Sequence, residues 1–139
     1  MGSHSRPFSD KTGGAIDRKR ERERRQMLQL LYKNAADLST KLVQRLLDNK
    51  IIETTDVEAI RTIFTNLSEK LSNMEEFDIQ YKIAPLRQLV VDPNFISLYL
   101  TQYVIEELVE NDKIQDVYGD DLEIYRVIDS VMGVIRPQN

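Results

Sequence analysis

Six apolar residues, Met27, Leu31, Ala35, Leu38, Leu42 and Leu46, recur at spacings of four, four, three, four and four. Residues spaced this way share one face of an α-helix, whose turn is about 3.6 residues. On a strand, side chains alternate with period two, and the single step of three would split the set across both faces. Asp17, an acid suited to a first helical turn, marks a start for this helix. Carried from Asp17 to about Asn49, it would hold about 33 residues and run about 50 Å. A helix that long is expected to pack against another chain.

Further helices follow from caps and periodicity. Asp56 precedes Val57, Ile60, Ile63, Phe64, Leu67 and Leu71, an N-cap followed by an apolar stripe. "NMEEFD" closes that helix. In "DIQYKIAPLRQLVV", residues 78–91, Pro85 either breaks a helix or opens one, and Val90-Val91 favours an extended exit. Asp92-Pro93 places a cap and a first-turn proline before "NFISLYLTQYVIEELVEN". Gly119-Asp120-Asp121 introduces a last helix through Leu122, Tyr125, Val127, Ile128 and Met132, ended by Pro137.

Two stretches echo each other. "LSTKLVQRLLDNKI" from Leu38 aligns with "LTQYVIEELVENDK" from Leu100, in register through Ile52 and Ile114. After a three-residue insertion, "VEAIRTI" from Val57 aligns with "LEIYRVI" from Leu122. Either a helical hairpin has been duplicated, or two amphipathic helices share the spacing that any such helix needs. Both readings support an all-α bundle.

Length and composition narrow the rest. A chain of 139 residues is expected to form one domain. Met1 to Ser5, "MGSHS", reads as an expression scar, and it contains His4, the single histidine. Residues 1–14 are expected to be scar and flexible tail, 15–26 a charged arm or helix start, and 27–136 a single helical domain. The chain has no cysteine, which removes disulfides, thiolate nucleophiles and thiolate zinc sites. It also has no run of about 18 apolar residues and no secretory h-region, so no membrane contact and a cytoplasmic location are expected.

Charge is unevenly placed. Residues 1–26 carry eight cations against four acids, a balance of +4, so with a net charge of −4 the remainder carries −8. An acidic body repels a polyanion over most of its surface. The cations concentrate in "DRKRERERR", at Arg18, Lys19, Arg20, Arg22, Arg24 and Arg25. Within it, "ERERR" at Glu21–Arg25 resembles the core of a basic helix-loop-helix region. In that family a glutamate reads a base and neighbouring arginines hold phosphates. The resemblance covers five residues. The polar loop and second long helix that should follow are absent, and an apolar helix continues instead. Opposite charges three or four residues apart also stabilise a solvated helix, by about 0.2–0.5 kcal/mol a pair. No aromatic is interleaved among these cations to stack on bases.

Catalytic signatures are missing. There is no glycine-rich phosphate loop, no GxSxG and no HExxH. A general base would have to be a carboxylate or a lysine. The acids group as Glu75, Glu76 and Asp78; Glu106, Glu107 and Glu110; and Asp116, Asp120 and Asp121, each on a polar face. The loop from Asp112 to Glu123 is rich in oxygen ligands, yet lacks the residue order of a calcium loop, and helix capping accounts for its acids. No enzyme activity, metal or cofactor is expected. Phe77 with Tyr81, and Phe95, Leu98, Tyr99 and Tyr103, recur at helical spacing and suit either core packing or an exposed aromatic patch for a partner helix.

The expected architecture is therefore all-α, a small bundle of four to five helices with a long N-terminal helix, with a duplicated helical hairpin as one reading. The expected function is a non-catalytic interaction protein that self-associates or binds a partner protein through the seam Met27, Leu31, Leu38 and Leu42. The alternative is a small accessory nucleic-acid-binding protein whose phosphate contacts are Arg18, Lys19, Arg20, Arg22, Arg24 and Arg25.

Overall fold

A computed structural model describes the backbone of residues 7–135 and the side chains of residues 18–135, apart from that of Val109. The scar at 1–5 and the stop at Pro137 lie outside the described residues. The elements run α1 (Pro7–Lys33), α2 (Ala35–Asp48), β1 (Ile52–Glu53), α3 (Val57–Ser72), α4 (Glu76–Ile83), α5 (Phe95–Glu106), β2 (Asp116–Val117) and α6 (Asp121–Met132). Short 3-10 turns occupy Ala84–Leu86, Leu108–Glu110 and Gly133–Ile135. The chain is mostly helical, as expected of an all-α protein.

Asn34 divides what the stripe suggested was one helix from Asp17 to Asn49. Its backbone lies at φ −108° and ψ 16°, well away from helical ψ. The cause is local: its Nδ2 donates to Leu30 O at 2.8 Å, on the same carbonyl that accepts its backbone N–H at 3.0 Å. An asparagine side chain that competes for backbone partners in this way weakens a helix. The stripe survives the break, and Met27, Leu31, Ala35, Leu38, Leu42 and Leu46 are all buried. At the other end, residues 7–14, expected as a flexible tail, belong to α1. Proline suits the first turn of a helix because its φ is already helical.

Caps define the remaining helices. Asp56 accepts from Ala59 N at 3.1 Å to start α3. Asp120 and Glu123 form a reciprocal capping box at the start of α6, at 2.8 and 3.1 Å. For α5 the cap is Asn94, which accepts from Ser97 N at 3.0 Å, not Asp92 two residues earlier. The ambiguous stretch 78–91 contains α4, then Pro85 within a 3-10 turn. Val90-Val91 falls in a bend and not an extended segment, since no neighbouring strand pairs with it.

Two hairpins, α2-β1-α3 and α5-β2-α6, meet at an antiparallel bridge that pairs Ile52 with Val117 and Glu53 with Asp116. Gln115 N donates to Glu53 O at 2.8 Å, and Tyr118 N to Ile51 O at 2.7 Å. The three-residue insertion therefore precedes β2. Ile114, which the sequence alignment matched to Ile52, lies instead in a turn, buried, with its N–H on Asn111 O. The core runs between the hairpins through Ile60, Phe64, Ile96, Leu98, Tyr99, Leu100, Ile124 and Ile128. Buried polar groups on α5 are paired: Ser97 Oγ donates to Asp129 Oδ1 at 2.9 Å, and Thr101 Oγ1 to Ser97 O at 2.7 Å. Tyr125 Oη accepts from Asn94 N at 2.9 Å, tying α6 to the start of α5.

Candidate interaction surfaces

The seam expected to bind a partner turns inward. Met27, Leu31, Leu38 and Leu42 are no more than 5% exposed and pack into the chain's own core. Helices α3 and α6 cover them, so they offer no surface to a second chain while the protein is folded. Any partner must meet residues on other faces.

The charged arm divides between internal and outward use. Arg24 reaches Glu76 of α4 at 3.1 Å and also lies over the Phe95 ring, 5.6 Å from its centroid. It therefore joins α1 to α4 and α5. Arg25 pairs with Glu21 at 2.5 Å, one turn away on an exposed face. Arg18, Lys19, Arg20 and Arg22 are exposed. The structure thus keeps five of the six expected cations at the surface and turns Arg24 toward the body.

A groove follows the outward face of α1. Its larger part, about 460 Å³, is lined by Arg25, Leu28, Gln29, Tyr32, Lys33, Ser72 and Asn73. A second, smaller cavity of about 190 Å³, lined by Arg22, Arg25, Gln26 and Gln29, shares Arg25 and Gln29 with it. The Ser72 hydroxyl lies 3.1 Å from Leu28 O and 2.9 Å from Ser68 O, which fixes the end of α3 against α1. Tyr32, which lines the groove, is 54% exposed. The sequence held a signal for this face: Arg18, Arg22, Arg25, Gln29 and Tyr32 recur at steps of four, three, four and three, opposite the core stripe. Tyr32 stands seven residues beyond Arg25, outside the cation run, and so escaped notice beside it.

A second surface lies on α4. Ile79 and Ile83 are buried, while Phe77 and Tyr81, one turn apart, are 78% and 75% exposed. Side chains on the flanks of the helix hold it in place. Lys82 pairs with Glu106, Gln80 donates to Glu76 Oε2 at 2.5 Å, and Arg87 donates to Gln80 Oε1. Lys82 and Gln102 both donate to the Glu106 carboxylate; the Lys82 hydrogen bond is the main cause of its lowered pKa.

The acidic groups serve local structure. Glu76 and Glu106 are ion-paired, and Asp120 caps α6. Among the described residues, no three acidic or histidine side chains converge as metal ligands would. Tyr118 Oη donates to Glu53 Oε1 at 2.6 Å, and this bond, above all, pushes the phenol pKa up to about 12. Among the described residues, no helix is long and apolar enough to cross a membrane. No family model matches the chain, and no curated protein and no solved structure matches it.

Proposed function

We propose that this chain is a non-catalytic helical interaction protein that assembles with a protein partner, in the first place a second copy of itself, through the aromatic edge of α4. The observation that carries this reading is the exposure of Phe77 and Tyr81 together on a helix held by flanking ion pairs. Large aromatics on a rigid helix lose little conformational freedom on binding and dominate interface energetics when buried. Sedimentation velocity over a range of concentrations tests it. The parent chain is expected to form a dimer or larger species, and Phe77→Asp or Tyr81→Asp to return it to monomer with unchanged helicity. A parent chain that stays monomeric throughout would remove self-association.

The same reading takes the two bridged hairpins as copies of one unit. Placing the three-residue insertion before β2 makes Ile52 and Val117, which face each other across the bridge, equivalent positions. A two-fold axis between the hairpins requires such a self-matched pair.

A second reading, a small accessory nucleic-acid-binding protein, is favoured by one specific observation. Tyr32, an aromatic, shares the outward face of α1 with the cations, where the sequence had suggested that no aromatic was interleaved.

A further inference from the structure

The geometry points to the outward groove of α1 as a site for single-stranded nucleic acid, with bases stacked on Tyr32 and phosphates held by Arg22, Arg25 and Lys33. This deepens the nucleic-acid reading and is independent of the α4 edge. The six residues expected from sequence do not make this site: Arg24 is turned toward Glu76, and Tyr32, Lys33 and Leu28 are new to it.

The lining combines cations with an apolar patch. Arg22 lines the smaller part, Leu28, Tyr32 and Lys33 the larger, and Arg25 both. Phosphates are favoured beside Arg22, Arg25 and Lys33, and a neutral base ring beside Tyr32. Cations and an aromatic ring along one groove suit a single strand, whose phosphates and bases alternate.

Arg25 is engaged with Glu21, but an exposed pair one turn apart is weak and yields readily to a phosphate. Sequence-tolerant single-strand binding combines a cationic groove with aromatic platforms, and both occur here along one helix face. The −8 of the remaining chain confines the polyanion to this face. Duplex DNA gains nothing from Tyr32, because its bases are already stacked. An acidic peptide would use the cations but not the ring.

The test is fluorescence anisotropy of the full chain with labelled oligo-dT or oligo-U of about 12 nucleotides. Three phosphate contacts predict a loss of affinity of about 20-fold between 50 and 200 mM salt. In the Arg22→Ala/Arg25→Ala variant that loss shrinks to about threefold, because one contact remains. Tyr32→Ala weakens binding about tenfold or more, and Tyr32→Phe, which keeps the ring, restores it. Circular dichroism on each variant checks folding, and Val91→Ala, at a fully exposed position, leaves the affinity unchanged. Several results would overturn the site: no saturable binding at 50 mM salt, equal affinity for duplex DNA, or displacement by polyglutamate with no effect of Tyr32→Ala. Binding that survives Tyr32→Ala but is lost when Arg18, Lys19 and Arg20 become alanine would keep nucleic-acid binding and discard the groove.

Discussion

The helices that open the two hairpins share an apolar spacing and differ in burial. Aligned from Leu38 and Leu100, the positions Ala36, Asp37 and Thr40 of α2 correspond to Leu98, Tyr99 and Gln102 of α5. The first three are exposed and the last three buried. Helix α2 buries a single face, whereas α5 is covered almost all round by α3, α4 and α6. A shared helical spacing thus left room for two quite different environments. What a helix buries depends on how many neighbours surround it.

The sharpest way to break this comparison is at one matched position. Tyr99→Ala should cost about 3–5 kcal/mol, as truncation of a large core aromatic does, and Asp37→Ala should stay within about 0.5 kcal/mol. Chemical denaturation of both variants measures the gap, and similar costs would mean that α5 is not enclosed.

The turns of the hairpins differ as well. A Cβ on Gly119 would lie 2.9 Å from Ile51 Cδ1 and 3.0 Å from its Cγ2, so Gly119→Val should destabilise by about 1–3 kcal/mol through overpacking. A thermal melt that does not move would show that Ile51 has space to retreat. Next in size are the caps. Asp120→Ala removes half of a reciprocal capping box and should cost about 1 kcal/mol, no less than Asp56→Ala, which loses one acceptor. In the first hairpin Lys50 turns the chain at φ 57°, a left-handed conformation that favours glycine. Lys50→Gly should therefore raise stability, by up to about 1 kcal/mol.

The smallest effect concerns pH. The raised Tyr118 pKa means that the folded state holds the phenol proton more tightly than the unfolded chain does. Its contribution is complete below pH 10, the ordinary tyrosine value, and is lost as pH rises toward about 12. Glu106 behaves in the opposite sense. Lys82 lowers its pKa, so its contribution is present above the ordinary glutamate range and fades as pH falls through the folded value. Urea titrations of Tyr118→Phe and Glu106→Gln beside the parent chain, from acid to alkaline pH, separate the two effects.

Several features were legible before any coordinates. The stripe from Met27 to Leu46 is buried, and Asp56 and Asp120 cap the helices they precede. Each depends on residues a few positions apart. The misreadings came where near neighbours competed. Asn34 took a carbonyl from its own helix, and Asn94 displaced Asp92 as the cap of α5. The candidate site was less legible. The same apolar spacing that identified Met27, Leu31, Leu38 and Leu42 as a seam could not say whether the seam met another chain or this one.

By itself, then, the sequence determined that the chain is mostly helical, that the stripe from Met27 to Leu46 is buried, and that basic charge gathers near the start of an acidic chain. Those properties are set by contacts within one or two turns. Tertiary structure alone decided that the seam is consumed internally, that Arg24 is drawn to Glu76 while Arg22 and Arg25 face outward beside Tyr32, and that Phe77 and Tyr81 stand uncovered. The physical reason is that a helical period identifies the face to be buried, but only residues far away in the chain supply what covers it.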